Sequence, residues 1–167
     1  MSSSASAKSN DLIFMQKALL QAQKAFDKNE VPVGAIIVAP DGKTIISQAY
    51  NMVETKNSQT AHAEILAIAR ANKKLNSWRL EDCVLYVTLE PCSMCMGLIL
   101  LSRIKTIFFA TKSNIYGFKV DNCFTFELYK CPIIIKEGLC QFESSELLRT
   151  FFKTKRNKHE QRKKRLS

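Results

Sequence analysis

Four side chains in two short motifs have the types and spacing of a metal-dependent hydrolytic site. His62 and Glu64 lie in the sequence Thr-Ala-His-Ala-Glu, and Cys92 and Cys95 lie in Pro-Cys-Ser-Met-Cys. One imidazole and two thiolates are ligands that zinc prefers, and three protein ligands leave the fourth tetrahedral position open for a reactant. A carboxylate beside such a metal is available to move protons, so the pattern favours catalysis of hydrolysis.

The first motif is expected at the start of a helix. Thr60 is a suitable N-cap for a helix that begins near Ala61, which would place His62 and Glu64 in its first turn. The alternative for Glu64 is a solvent-facing acid that the helix dipole favours in a first turn. Its position two residues after a metal ligand favours the catalytic role instead.

The second motif is expected to open another helix. Pro91 suits the first helical position, and Cys92 and Cys95 then lie three residues apart on one face. At a helix N-terminus the dipole lowers the pKa of a thiol and favours the metal-binding thiolate.

Structural zinc binding and redox chemistry are the alternatives to a catalytic metal. A structural site usually has a fourth Cys or His ligand, and Cys-x-x-Cys can also be a redox pair. A redox pair leaves Glu64 and Pro91 unexplained. His62 is also the one histidine before the basic C-terminal segment, which holds His159. Both observations favour catalytic zinc.

Longer segments around these motifs resemble the zinc-dependent nucleoside and nucleobase deaminases, whose signature is His-x-Glu followed by Pro-Cys-x-x-Cys. The resemblance is closest to the bacterial tRNA-specific adenosine deaminases and runs from about Met15 to Arg156. The segments that carry it are Val31–Ala35, Thr60–Ile65, Tyr86–Gly97, Arg103–Ile104 and the pair Phe151 and Phe152.

The resemblance implies a reaction, a cofactor and partners. The reaction is hydrolytic deamination of adenosine to inosine at the wobble position of a tRNA anticodon, in which zinc-bound hydroxide attacks C6 and Glu64 shuttles protons. One zinc ion per subunit is held by His62, Cys92 and Cys95. The partners are an anticodon stem-loop, by resemblance that of an arginine tRNA, and a second copy of the chain. The run Leu98–Leu101 is apolar on several sides of its helix, which agrees with a homodimer.

Substrate contacts are also implied by the resemblance. Asn51 matches a residue that hydrogen-bonds the extruded nucleoside, although an Asn at the end of a strand is the structural alternative. Val33 and Glu90 match positions that line or shape the base pocket. Phe152 matches an aromatic residue that meets the anticodon loop, and because Phe151 precedes it, only one of the two rings needs to face the core.

One segment departs from the pattern of these deaminases. After the strand at 107–110, relatives usually carry an Arg-Asp-like pair beside the target nucleotide. Here Lys112 retains a charge and Ser113 replaces the acid. The departure affects the expected contacts with neighbouring nucleotides rather than the reaction type.

The positive charge of the chain is concentrated at its C-terminal end. The formal net charge is +10, and residues 149–167 hold one acid, Glu160, among many bases. The bases are Arg149, Lys153, Lys155, Arg156, Lys158 and the cluster Arg162–Arg165. This nearly single-signed run favours a polyanionic partner such as RNA, with Lys155 and Arg156 among the contacts. A solvated helix end and a nuclear targeting signal are the alternatives.

The length of 167 residues fits one domain, expected at 11–156 between a disordered lead (1–10) and a basic tail (157–167). Alternating helices and strands, together with the resemblance, predict an α/β fold: a three-layer α/β/α sandwich around a mixed five-stranded sheet. Helices are expected at 11–28, after Thr60, after Pro91 and from about Glu143. Strands are expected at 34–39, 44–49, 84–89, 104–110 and 133–135.

No secretory signal or membrane span is evident, so the six cysteines are expected in a reducing compartment, the cytoplasm. The four outside the zinc motif, Cys83, Cys123, Cys131 and Cys140, are expected to be small buried residues or free thiols. Two other functions remain open. A free-base or mononucleotide deaminase would share the motif but gain little from the basic tail, and a non-catalytic zinc RNA-binding protein would have no use for Glu64.

Overall fold

The structure is a computed structural model that describes residues 3–119 and 132–166. Its elements in chain order are α1 (Ser3–Asp27), β1 (Gly34–Val38), β2 (Ile45–Tyr50), α2 (Val53–Lys56), α3 (Ala63–Leu75), β3 (Val84–Leu89), α4 (Ser93–Leu101), β4 (Thr106–Thr111), β5 (Ile134–Glu137) and α5 (Gln141–Leu166). Every predicted helix and strand is present, and α2 is an addition. Across the described ranges, no helix has the length and apolar character needed to cross a membrane.

The five strands form one mixed sheet, as predicted, and their order is β2-β1-β3-β4-β5. Strand β1 is antiparallel to both of its neighbours, and β3, β4 and β5 are parallel. Strands β2, β3 and β4 therefore point in the same direction. Their carboxyl ends lie at one edge of the sheet, together with the start of β1, and we call this edge the site edge.

Alternate residues of the central strands pack against different helices. In β1, Ala35 and Ile37 belong to a core shared with α3 and α4, whereas Ile36 and Val38 belong to a core shared with α1. The period of two follows from strand geometry, in which successive side chains point to opposite faces. Helix α5 lies beside α1, so helices cover both faces of the sheet and the predicted three-layer architecture is confirmed.

Helix α1 begins earlier than predicted, at Ser3 rather than Asp11. No Gly or Pro interrupts this segment, and Ser and Ala are compatible with a helix. Helix α5 runs from Gln141 to Leu166 and so extends through the basic segment at 157–166.

Two of the four cysteines outside the zinc motif lie within the described residues. Cys83 is buried in the core and Cys140 is half-buried, and both are free thiols as expected. Cys123 and Cys131 lie outside the described residues.

Helix α1 crosses β1 very closely at Gly34. A Cβ atom at this position would overlap the carbonyl oxygen of Ala18 and lie 2.5 Å from the amide nitrogen of Ala22. Both neighbours are backbone atoms, which cannot move without displacing the helix. The glycine therefore sets the distance between α1 and the sheet, at the start of a strand on the site edge.

Replacing Gly34 by Ala is expected to lower the free energy of unfolding by about 1–3 kcal/mol, the usual effect of overpacking a dense core. Gln16→Ala is the control, because it changes an exposed side chain on the same helix α1. Alanine is a good helix former, so the control should be neutral or slightly more stable. Urea unfolding followed by circular dichroism measures both, and an equal loss in the two variants would contradict the account.

Candidate metal centre and substrate cavity

The metal-ligating side chains come from the starts of two helices at the site edge. Helix α3 follows β2, helix α4 follows β3, and His62 and Cys92 are their N-cap residues with extended backbones. Neither side chain makes a capping hydrogen bond, so both are available as ligands. Cys95 is the third residue of α4 and is fully buried.

The predicted starts of these helices were early. His62 lies just before the first turn of α3 rather than inside it, and Pro91 precedes the cap of α4 rather than opening the helix. The side chain of Thr60 pairs with Ser58 at 2.9 Å and does not cap α3. A ligand at the cap position can approach the neighbouring helix, because its backbone has not yet turned into the helix.

The three ligand atoms have the separations of a tetrahedral zinc site. His62 Nδ1 lies 3.7 Å from Cys92 Sγ and 3.4 Å from Cys95 Sγ. All three atoms lie within 4.8 Å of one another. Tetrahedral zinc with bonds of about 2.0 Å to nitrogen and about 2.3 Å to sulfur places its ligand atoms roughly 3.5–3.8 Å apart. The residues therefore fit a zinc ion, and Glu64 does not belong to the ligand group.

The thiols of Cys92 and Cys95 affect each other's pKa in opposite directions. The pKa of Cys92 is lowered to about 4, first by a hydrogen bond with the Cys95 side chain and further by His62. The same hydrogen bond, together with burial, raises the pKa of Cys95. Cys92 is therefore the thiolate of the pair, and a thiolate is the form that binds metal.

Glu64 lies in the first turn of α3, with 4% of its surface exposed. Burial raises the pKa of its carboxyl above the usual value, because the charged form is poorly solvated there. A raised pKa makes a carboxyl a better proton acceptor, which suits a group that exchanges protons with a reactant. Its burial also excludes the alternative of a solvent-facing acid.

A cavity of about 720 Å³ opens above the ligand group at the site edge. Eight of the residues assigned to the site from sequence line it: Val33, Asn51, His62, Glu64, Glu90, Cys92, Lys112 and Phe152. Cys95 lies behind the wall as a buried ligand, and Lys155 and Arg156 are not part of the lining. Sequence reasoning missed Glu30, Gln59, Ile115, Tyr116 and Leu148, which also line the cavity. Glu30 carried one signal, a charge directly before the apolar segment at 31–38.

The buried Glu90 carboxylate holds the loop that follows β4. Its oxygens accept the backbone N–H groups of Ser113 at 3.1 Å and Lys119 at 3.2 Å. A Cβ at Gly117 would lie 2.6 Å from this carboxylate, so the loop passes too closely for any larger residue. Glu90 therefore shapes one cavity wall by fixing its backbone.

The basic side chain of this loop is engaged in an ion pair. Lys112 Nζ lies 3.1 Å from Glu137, which also pairs with Lys119 at 2.9 Å. These groups are exposed, and an exposed ion pair contributes little to stability. Lys112 can therefore exchange this partner for another anion.

The two phenylalanines near the middle of α5 have different surroundings. Phe151 is buried and makes an edge contact with Phe26 at 5.9 Å between ring centroids. Phe152 is 44% exposed and lines the cavity. This confirms that only one of the pair faces the core.

The chain matches one protein-family model and is similar to several known proteins. Residues 8–111 match the family model described as the cytidine and deoxycytidylate deaminase zinc-binding region. The tRNA-specific adenosine deaminase of Aquifex aeolicus is 45% identical over 86% of this chain and 95% of its own length. The chloroplastic tRNA(adenine(34)) deaminase of Arabidopsis thaliana is 51% identical over 64% of this chain, which spans 8% of that longer protein. A solved structure from a study of A-to-I editing by tRNA:A34 deaminases has 37% identity and a TM-score of 0.73, over 81% of this chain and 98% of that one.

Removing either thiol of the ligand group is expected to lower the zinc content of the purified chain. Cys92→Ala and Cys95→Ala each leave two protein ligands, too few for tight binding. Cys140→Ala is the control, because it removes a half-buried free thiol outside the ligand group. Elemental analysis after gel filtration measures the metal. Zinc retained at the wild-type level in the Cys92 or Cys95 variant would contradict the ligand assignment.

Proposed function

Because the chain belongs to the family that carries the cytidine and deoxycytidylate deaminase zinc-binding region, we propose that it deaminates adenosine to inosine at position 34 of tRNA. The observation that carries the proposal is the buried Glu64, which lies on the wall of a cavity of about 720 Å³ beside the ligand group of His62, Cys92 and Cys95. Cavities of roughly 300–1,000 Å³ are typical of small-ligand sites. An extruded nucleoside fits this class of ligand.

A bound metal ion would activate the nucleophile, and Glu64 carries the protons. Bound zinc would lower the pKa of a water molecule towards neutrality and so supply the nucleophile. The Glu64 carboxylate accepts a proton from that water and delivers it to N1 of adenine as C6 is attacked. Glu64 then takes the proton of the new C6 hydroxyl and passes it to the amino group, which leaves as ammonia when the C6–N bond breaks and the C6 carbonyl forms. Because Glu64 is buried, bulk water does not compete for these protons.

The proposed stoichiometry is one zinc ion per chain, held by His62, Cys92 and Cys95. Among the residues that the structure describes there is one such group of three ligands, which supports one zinc ion per chain. Ligand thiols must stay reduced to bind metal, which supports a reducing compartment such as the cytoplasm as the place of the reaction.

The RNA contacts are proposed along the cavity mouth and α5. Phe152 offers an exposed aromatic face to a splayed base beside the target, and Asn51 and Val33 meet the nucleoside inside the cavity. Lys112 lies at the rim, and Lys155 and Arg156 extend the basic surface along α5. The Lys155 ammonium lies 5.2 Å from the centroid of the Phe151 ring, which supports its position near the helix. The proposed substrate is an arginine tRNA.

The proposed assembly is a homodimer formed through α4. In the single chain Ile99 and Leu100 are fully buried, whereas Leu101 is 52% and Met94 is 41% exposed. Met94 and Leu101 are seven residues apart and so lie on one face of α4. A second copy packed on α4 would remove them from water.

Glu64→Gln is expected to separate chemistry from binding. The variant should keep its zinc and its affinity for the anticodon stem-loop, while single-turnover deamination falls about 100- to 10,000-fold, because the amide cannot carry the proton. Glu81→Gln is the control, since it removes the charge of an exposed acid before β3. Deamination by Glu64→Gln within a few-fold of wild type would contradict its role.

Ending the chain at Lys158 should weaken RNA binding without disturbing the folded body. The cut removes Arg162–Arg165 but keeps Phe151 packed on α1. The slope of log affinity against log salt should flatten by roughly 0.7–0.9 for each lost phosphate contact. Fluorescence anisotropy with a labelled stem-loop measures the slope, and circular dichroism checks the fold. An unchanged slope and affinity would remove the tail from the binding surface.

Leu101→Glu is expected to dissociate the proposed dimer, because it buries a charge in an apolar contact. Leu20→Glu is the matched control, since Leu20 is 63% exposed on α1, on the other face of the sheet. Light scattering at micromolar concentration should give twice the chain mass of 19.0 kDa for wild type and the control. A wild-type protein that scatters as a single chain would refute the dimer.

A further inference from the structure

Glu30 is a fully buried carboxylate that takes no part in the proposed proton transfers. It has 0% of its surface exposed and lies between α1 and β1, where it contributes to the cavity lining. An isolated buried charge is unfavourable unless hydrogen bonds compensate it. A carboxylate buried at this position therefore needs hydrogen-bond donors around it.

Three N–H groups converge on the two carboxylate oxygens of Glu30. The side-chain amide of Asn51 donates to Oε2 at 3.3 Å, and the backbone N–H of Glu54 donates to the same oxygen at 3.1 Å. The backbone N–H of Thr55 donates to Oε1 at 2.6 Å. A glutamine here would accept through one oxygen only and would turn its own NH₂ group towards a donor. The arrangement therefore requires a carboxylate.

Two of these donors belong to the short helix α2. Glu54 and Thr55 are its second and third residues, and its N-cap Met52 provides no side-chain hydrogen bond. The first N–H groups of a helix have no partner within the helix. Glu30 supplies that partner from a distant part of the sequence, and so fixes the cavity wall formed by α2.

The third donor, the side-chain amide of Asn51, belongs to a residue of the cavity in which the nucleoside is proposed to bind. Asn51 is 6% exposed and lines the cavity, and its backbone N–H donates to the Val33 carbonyl at 2.9 Å. Its side-chain amide has two orientations that differ by exchange of oxygen and nitrogen. The flipped orientation would place the amide oxygen against a carboxylate oxygen, which is repulsive.

We infer that Glu30 is a positioning residue that holds the Asn51 amide in one orientation, with nitrogen towards Glu30 and with Oδ1 and the second N–H left for the nucleoside. The inference deepens the proposed function, because the nucleoside as ligand rests on that proposal. The contact between Glu30 and Asn51 does not depend on it.

A double-mutant cycle tests whether Glu30 acts through Asn51. Glu30→Gln should lower kcat/KM on the anticodon stem-loop about 10- to 100-fold, the usual effect of disturbing a charged hydrogen bond. In the Asn51→Ala background the same change should have less than about a three-fold effect, because coupled residues are not additive. Glu81→Gln, which removes an exposed charge, should leave kcat/KM unchanged. A merely structural role would lower Tm in both backgrounds and give additive losses in kcat/KM, and additive losses would overturn the inference.

A second measurement does not require activity. In zinc-loaded chain labelled with ¹⁵N-asparagine, the Asn51 side-chain signals are assigned by their absence in Asn51→Ala. One Asn51 N–H should exchange slowly in wild type, and this protection should disappear in Glu30→Gln. Fast exchange in wild type, or protection that survives in Glu30→Gln, would overturn the inference. If the protection behaves as expected but wild type does not deaminate the stem-loop, the positioning contact stands and the proposed function fails.

Discussion

The metal centre depends on two helix starts meeting at one edge of the sheet. Strands β2 and β3 point in the same direction because β1 is antiparallel to both, so the helices that follow them begin side by side. His62 and Cys92 cap those helices, and their ligand atoms approach to 3.7 Å. Gly34 lets α1 pack tightly behind the same edge. Any change that separates the two helix starts would remove the ligand geometry.

Two buried carboxylates, Glu30 and Glu90, hold different parts of the cavity wall. Glu30 binds the start of α2 and Asn51, and Glu90 binds the loop after β4. Buried charges contribute little net stability unless they are fully hydrogen-bonded, but they restrict the backbone to one arrangement. Glu64 differs from both, because burial raises the pKa of its carboxyl and prepares it to exchange a proton. Glu30 and Glu90 therefore hold parts of the cavity wall through hydrogen bonds, whereas Glu64 exchanges a proton.

The sequence was sufficient for the parts of the structure with local signals. Short apolar runs predicted the strands, and the His-x-Glu and Cys-x-x-Cys motifs predicted the ligand group. The sequence did not reveal Glu30, because its partners Asn51, Glu54 and Thr55 lie more than twenty residues away and become neighbours only after β1 and β2 pair. The starts of α3 and α4 were each predicted two residues early, a difference within the usual uncertainty of helix ends. Helix α2 was not predicted, because Glu30, which accepts hydrogen bonds from its first N–H groups, is also distant from it in sequence.

The central claim is that the cavity deaminates a wobble adenosine within RNA. The most direct test incubates zinc-loaded wild-type chain with an unmodified anticodon stem-loop, and in parallel with free guanine, cytosine and a cytidine mononucleotide. Mass spectrometry of the digested RNA and of the free compounds identifies the products. The account predicts inosine at the wobble position and unchanged small molecules. Intact adenosine in the RNA together with deaminated guanine or cytosine would contradict it, as would tight RNA binding without any turnover.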